Sequence, residues 1–359
     1  MSRLPGSELR GADVHGSDVR FASQSRVLIS GYYGFDNLGD ELILHVMIEQ
    51  LKQRNAHITV LSNNPARTGR LYGVEAIHRM SMLQIIDAMG STHLFISGGG
   101  GLFQDATGPN SSLYYGGLIM LAGYFQIPVC FLGQGLGPLN GGLSRWMTRN
   151  ALERCDAVTV RDEGSAMLVQ ELTGREPALV ADPVWLLNMP KQRPQGGDTW
   201  QIGVSLRPWG QLTDERLKGF VRTLAELVAG SKRPVAFKLF PFQPKQDTAI
   251  LEQFQKYARA EGLGNCQIVP QEDILNEIPR CHLMFGMRFH SLILAILSDV
   301  AVYGLVYDPK VRQLLKMLRL KGCDIEDMGR ISDLELADYF NHYPPVSVDP
   351  LRNQAYLSF

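Results

Sequence analysis

Short runs of branched and aromatic residues alternate with longer helical stretches from Arg26 to near the end of the chain, and this rhythm limits the fold more than any other feature. The runs Arg26–Ser30, His57–Ser62, His93–Ser97, Pro128–Leu132, Ala157–Val160 and Ala178–Ala181 read as strands. Several are almost wholly apolar, as parallel strands covered on both faces must be. Within Leu38–Arg54, residues Leu42, Val46, Ile48 and Leu51 form an approximate apolar face, and Asn37 followed by Asp40 suits a helix N-terminus. Repeated strand–helix units predict a doubly wound α/β domain.

The rhythm breaks over residues 187–199, where NMPKQRPQGGDT is polar and rich in proline and glycine, and then resumes. Strands are expected at Gln201–Leu206, Pro234–Phe240, Cys266–Val269, His282–Phe285 and Val300–Gly304. Helices are expected at Asp214–Ala229, Lys245–Ala260, Glu272–Pro279, His290–Leu297 and Pro309–Leu318, with a last one around Asp333–Asn341. The expected fold is therefore α/β, with two Rossmann-like domains facing a cleft. Residues 1–25 form a mobile arm, 26–186 the first domain, 187–199 a linker, 200–330 the second domain, and 331–359 a C-terminal helix and tail.

A chain of 359 residues is long enough for two cores. Its net charge of −1 excludes a global attraction to nucleic acid or to an acidic membrane, so any anion site must be built locally. Five cysteines, at 130, 155, 266, 281 and 323, fit neither a disulfide framework nor paired metal-ligand spacing. A reducing, cytoplasmic compartment is the expectation. No stretch approaches the roughly 20 apolar residues that span a bilayer, and residues 1–25 carry charges throughout rather than an apolar signal segment.

Three glycine-rich segments follow first-domain strands: GYYGFDNLGDE from Gly31, SGGGGLFQD from Ser97 and GQGLGP from Gly133. Ligands of open α/β sheets bind at the carboxyl ends of strands, and glycines there let backbone approach a ligand. The residues expected to meet a bound ligand are Gly34, Asn37, Gly99, Gly100 and Gln134. Asp40, with Glu41 and Asp105 in reserve, is the candidate base, although Asn37 and Asp40 read equally well as helix caps. The second domain contributes cations at strand ends. Arg207 follows one strand, Arg288 and His290 sit in GMRFHS after another, and Lys310 follows a third. Such a set makes an anion pocket, arginine being suited to bidentate carboxylate or phosphate binding. Arg161 ends a first-domain strand; Asp182 before Pro183 reads as a turn, and Lys238 as a mid-strand structural residue. No spacing points to a metal.

Together GYYGFDNLGDE, ISGGGGLFQD, GQGLGP, VRDEGS, ADPVW, GVSLRPW and GMRFHS, in order over residues 26–310, resemble the bacterial polysaccharide pyruvyl transferase family. The resemblance implies a glycosyltransferase-B-like fold and phosphoenolpyruvate as donor substrate, with no further cofactor; it makes 26–186 the acceptor domain, with Gly34, Asn37, Gly99, Gly100 and Gln134 as acceptor-binding residues, and 200–330 the donor domain. It implies a lipid-diphosphate-linked amino-sugar acceptor, often N-acetylmannosamine, in cell-wall polysaccharide synthesis, and hence transient contact with the inner membrane face. Its Arg-x-His element maps to Arg288 and His290, its downstream lysine to Lys310, and a first-domain arginine to Arg161, with Arg149 and Arg207 as rivals. A nucleotide-sugar-dependent glycosyltransferase of the same fold is the alternative, and a non-catalytic module closing on an anionic sugar is a third reading.

Overall fold

The computed structural model describes residues 24–355 except 106–107, 192–198, 232, 332–335, 337–338 and 341. Nearly all of the 1–25 arm, and most of both the 187–199 linker and the helix expected over 333–341, lie outside the described residues. The chain divides into two compact units. One runs to Leu186 and takes back the chain from Asp349, and the other is Leu187–Val348.

The first unit carries one parallel sheet. Its strands are β1 (Arg26–Ser30), β2 (His57–Ser62), β3 (Glu75–His78), β4 (Leu94–Ser97), β5 (Gly100–Phe103), β6 (Val129–Leu136), β7 (Ala157–Val160) and β8 (Ala178–Leu179). The order is β3-β2-β1-β4-β6-β7-β8, and β5 pairs with the carboxyl half of β6. Helices α1 (Leu38–Lys52), α2 (Pro65–Tyr72), α3 (Met82–Gly90), α4 (Asn110–Tyr124), α5 (Gly142–Arg154) and α6 (Glu163–Thr173) connect them. Val27, Leu28 and Ile29 are buried although they point alternately to opposite faces of β1, the mark of a central parallel strand. A final helix, Asp349–Ala355, returns to this unit. There Arg352 Nε donates to the Trp185 carbonyl (3.3 Å), and the Ala181 N–H donates to the Gln354 carbonyl.

The second unit repeats the plan. Its strands are β9 (Trp200–Ser205), β10 (Val235–Leu239), β11 (Cys266–Ile268), β12 (Leu283–Gly286), β13 (Ala301–Val306) and β14 (Gly322–Asp324), in the order β11-β10-β9-β12-β13-β14, all parallel. Its helices are α7 (Asp214–Ala229), α8 (Pro244–Ala260), α9 (Ile274–Glu277), α10 (Phe289–Leu297) and α11 (Pro309–Leu318). Phe285 on β12 centres the core, with its ring 5.4 Å from Phe220 and 5.8 Å from Tyr303.

Three expectations need correction. The Gly100 end of the glycine run is itself strand β5 rather than loop. The helix expected over Glu272–Pro279 is one α-helical turn flanked by 3-10 turns, and Pro279 lacks the N–H that continuing the α-helix through its last turn needs. Helix α1 buries Ile43, Leu44 and Met47 besides the expected face, so it is surrounded rather than half-exposed. All five cysteines are free, and burial raises every thiol, that of Cys266 to about 11. None is a thiolate nucleophile at neutral pH.

Replacing Phe285 with Ala should destabilise the protein by about 3–5 kcal/mol, the cost of an aromatic-sized cavity in a packed core. Urea denaturation followed by circular dichroism measures it; a loss below about 1 kcal/mol would mean that this core is loosely packed.

Candidate active site

Parallel register brings the glycine-rich segments of the first unit to one edge. Ser30 is level with Leu61 and Ser97, and Ser97 with Phe131. Gly31, Gly98 and Gly133 follow at or just past that level on β1, β4 and β6. Gly31, Gly98, Gly99 and Gly100 serve close packing there. A Cβ on Gly31 would lie 2.3 Å from the buried Tyr33 ring, and one on Gly98 would lie 2.2 Å from the Tyr33 hydroxyl. At Gly99 it would meet Ile43 of α1 at 2.9 Å. At Gly100, whose φ of +105° already favours glycine, it would meet the Asp40 carboxylate at 2.7 Å. The run thus gives the first turns of α1 and the Tyr33 ring their seat.

The predicted acidic and acceptor residues divide accordingly. Asn37 caps α1, its side-chain oxygen accepting from the Gly39 N–H (3.2 Å) and its amide donating to Asp40. Asp40 is buried in the first turn, against Gly100. Glu41 has both oxygens engaged. Oε1 accepts from the Gly34 N–H (2.7 Å) and Oε2 from the Tyr72 hydroxyl (2.8 Å), which pins the loop Gly34–Asn37. Burial raises its carboxyl above the usual range, partly offset by those two hydrogen bonds. Asp105 accepts from the Gly141 and Asn140 N–H groups, which hold its carboxyl below the usual range. It ties the segment after β5 to the start of α5 and is poorly suited to taking a proton. Gln134 is wholly buried, donating to the Ser97 carbonyl (2.9 Å) and hydroxyl (2.8 Å), so it locks β6 to β4 rather than facing a ligand. Arg161 forms a buried ion pair with Asp182 (3.1 Å), whose other oxygen accepts from the Val184 N–H, so Asp182 is turn and counter-ion at once. Its rival Arg149 makes a surface pair with Glu153 one helical turn away.

In the second unit Gly286 is level with both Ser205 and Gly304, so Arg207 and Arg288 each stand two residues past one common level. The two arginines differ in what they meet. Arg288, the N-cap of α10, is clasped by Asp247 through Nε (3.1 Å) and Nη2, and both side chains are buried. Asp247 also accepts from the Gln243 N–H (2.9 Å) at the start of α8. The bidentate face of Arg288 is therefore taken by an internal carboxylate, which corrects the expectation that it grips an anion with that face. Arg207 instead lies beside aromatic rings. Nη1 is 3.3 Å from the Tyr307 hydroxyl, and the guanidinium carbon is 5.2 Å from the centroid of Tyr307 and 5.7 Å from that of Trp209. Its buried Nε has no hydrogen-bond partner among the described residues. Lys310, in the first turn of α11, holds its ammonium 6.0 Å from the same Tyr307 ring and 3.4 Å from Asp308, the cap of that helix. His290 stands in the first turn of α10, its ring edge-on to Phe289. Lys238 pairs with Glu277 and stays structural.

Arg207, Tyr307 and Lys310 thus gather at the carboxyl edge, with His290 on a neighbouring helix start. Tyr307 and Asp247 escape sequence reasoning. An aspartate in a first helical turn reads as a cap, and a tyrosine before Asp-Pro reads as loop.

A family model described as "Polysaccharide pyruvyl transferase" matches residues 37–309. No curated protein matches the sequence. Among solved structures, UDP-GlcNAc 2-epimerase from Methanocaldococcus jannaschii is similar at TM-score 0.60 and 12% identity, covering 87% of this chain and 92% of that one. UDP-GlcNAc 2-epimerase from Neisseria meningitidis, bound to UDP-GlcNAc, is similar at 0.58 and 12%, covering 93% and 94%. A glycosyltransferase from Rickettsia africae gives 0.60 and 10%, covering 93% of each. At such identities the likeness shows the fold alone, the two-domain glycosyltransferase-B-like architecture.

Asp247→Ala should destabilise the protein by about 3–5 kcal/mol, because it strands the buried Arg288 charge. An Asp247→Ala, Arg288→Met double variant should regain much of that stability. Denaturant midpoints measure both, and an Asp247→Ala variant as stable as wild type would deny that the pair is buried. Glu41→Gln tests the sign of a shift. A carboxyl raised by folding contributes stability below its unfolded value of about 4.3 and loses it as pH rises through the folded value. The stability of Glu41→Gln relative to wild type should therefore increase as pH rises from about 4 to about 7, as read from melting temperatures; a decrease would contradict the assignment.

Proposed function

The chain belongs to the polysaccharide pyruvyl transferase family, and from that premise we propose that it transfers the pyruvyl group of phosphoenolpyruvate, as a ketal, to N-acetylmannosamine in a lipid-linked cell-surface polysaccharide precursor. The observation that carries the donor assignment is the Arg207–Tyr307–Lys310 cluster at the carboxyl edge of the second sheet. Phosphoenolpyruvate presents a phosphate and a carboxylate on three carbons. An arginine and a lysine beside a phenol fit that short, doubly anionic skeleton better than they fit a nucleoside. The amino terminus of α10 adds a partial positive charge beside His290.

Ketal formation begins with protonation of the methylene carbon, which leaves C2 oxocarbenium-like. A sugar hydroxyl adds to C2, phosphate departs, and a second hydroxyl of the same sugar closes the ring. One hydroxyl proton replaces the proton delivered to carbon and the other leaves with phosphate, so the products are the ketal and inorganic phosphate. His290 is the proposed proton donor or phosphate ligand, since imidazole ordinarily titrates within the working range. Asp40 is the proposed base toward the acceptor hydroxyl. Acid–base help of this kind contributes roughly 10²–10⁴ in rate, and fixed charge on the departing phosphate at least as much. Arg288 acts here by holding the first turn of α10 through Asp247, and Arg161 by ordering the edge of β7 through Asp182. The scheme requires no metal.

Among the described residues no helix is long and apolar enough to cross a membrane. A lipid-linked acceptor is supported instead by the exposed Met80, Met82, Leu83 and Ile86, side chains clustered over one short stretch of the first unit. They suit transient contact with the inner membrane face.

Incubation with phosphoenolpyruvate and lipid-diphosphate amino-sugar disaccharides should release phosphate only when acceptor is present, and mass spectrometry should find the added pyruvyl group. His290→Ala and Lys310→Ala should lower that rate by at least about 100-fold without lowering the melting temperature. Near-normal turnover of either variant would remove the donor assignment. Thermal stabilisation by a UDP-sugar, and none by phosphoenolpyruvate, would favour the nucleotide-sugar glycosyltransferase reading that the UDP-sugar-binding structural neighbours bring to mind.

A further inference from the structure

Helices α3, α4 and α5 lie on one face of the first sheet. From β3 to β4, from β5 to β6 and from β6 to β7 the chain steps the same way across the sheet, and right-handed crossovers put the connecting helices on a common side. Ile85 and Met89 of α3 accordingly share one core with Leu118, Ile119 and Ala122 of α4. α4 and α5 run in parallel at close range. Gly116 lies against Met147 and, two turns further along both helices, Gly123 lies against Arg154.

The outward side of this layer is apolar. α4 has no charged side chain along its whole length, and α3 has one, Asp87. Because Tyr115, Leu118 and Ala122 of α4 are buried, the helical period turns Leu113, Gly117, Met120 and Tyr124 the other way. Met120 is 42% exposed and Tyr124 82%. On α5, Leu143 and Trp146 are 53% and 57% exposed and lie one turn apart. A helix facing water carries charged or polar residues on that side, so this stripe has the chemistry of a covered surface.

Two arginines bracket the stripe. Arg79, at the entry to α3, lies 4.2 Å from the Tyr114 centroid, and Arg154 donates through Nη2 to the Gly123 carbonyl (2.8 Å) at the far end of α4. Neither pairs with a carboxylate among the described residues. The other charges on these helices are Arg149 and Glu153, which pair with each other, Arg145, which pairs with Glu171 of α6, and Asp87. A second copy of the same face would offer the two arginines only Asp87. A layer of lipid phosphates offers each arginine its own anion, and the acyl region beneath it takes the apolar stripe. Tyrosine and tryptophan at the border of such a stripe suit the headgroup level.

We propose that the α3–α4–α5 face docks on an anionic phospholipid bilayer, with α4 lying in the plane of the surface, Met120, Tyr124, Leu143 and Trp146 in the boundary between headgroups and acyl chains, and Arg79 and Arg154 on lipid phosphates. The proposal rests on the lipid-linked acceptor of the proposed function for its role, and on the chemistry of this face for the contact. It makes α4 and α5, beside the exposed start of α3, the principal contact.

The test is flotation of the full chain with vesicles of phosphatidylglycerol and phosphatidylcholine in equal parts, and with vesicles of phosphatidylcholine alone. Wild type should float with the anionic vesicles, and less so as salt screens the arginines. Met120→Glu combined with Trp146→Glu should lower the partition coefficient by about tenfold or more, and so should Arg79→Gln combined with Arg154→Gln. Met317→Glu, at an exposed apolar side chain of the second unit, should float like wild type. Melting temperatures verify folding, and Tyr124→Glu, at the most exposed of these positions, replaces any variant that melts early. Failure of wild type to float, or equal flotation of the stripe variants, overturns the proposal. So does a wild-type dimer in light scattering that the stripe variants split and that does not float, since the face would then cover a second copy. Phosphate release with a water-soluble, short-chain acceptor reports on the transferase reading separately. Flotation lost in the stripe variants while that release stays at the wild-type rate supports docking. Flotation by wild type without any release keeps the docking face and sinks the transfer reaction.

Discussion

A buried arginine must meet a carboxylate, and two such pairs organise the functional edges of this protein. Arg161 with Asp182 fixes the end of β7, and Arg288 with Asp247 fixes the start of α10. Either charge alone in those surroundings would cost several kcal/mol. The consequence for function is a division of labour among cations. Arg161 and Arg288 are internal struts, whereas Arg207 and Lys310 gather around one tyrosine ring and are the cations proposed to meet the donor.

The first unit shows the same economy with glycine. Gly31, Gly98, Gly99 and Gly100 lie where a side chain would strike Tyr33, Ile43 or Asp40. The tight seating of α1 on the sheet edge positions Asp40 and, five residues earlier, Phe35. The stacked rings of Tyr32 and Phe35 and the Arg79 guanidinium lie beside that edge. Rigid placement of such groups limits what must be ordered on binding.

Much of the fold was legible in sequence because buried parallel strands are nearly continuous apolar runs. β1, β2 and β7 begin and end where the pattern predicts, and so do α7 and α11. Two missed strands, Glu75–His78 and Gly322–Asp324, are short and lie at sheet edges, where half-exposure leaves no apolar run to read. Strand ends located Arg207, Arg288, His290 and Lys310 correctly, since position past a strand follows from chain order. Side-chain partnership does not. Asp247 is 41 residues from Arg288, and Arg207 is 100 from Tyr307, so which arginine is a strut and which is a grip depends on pairing across neighbouring strands. The stacking of the Arg79 guanidinium on Phe35 and Tyr114 was hidden for the same reason, its ring partners lying in two other segments.

The cations around Tyr307 are proposed to hold a small phosphorylated acid. In calorimetric titrations with phosphoenolpyruvate, wild type should show saturable binding and a fully folded Arg207→Gln at least about tenfold weaker binding. Equal affinity for the two proteins would remove Arg207 from the donor site.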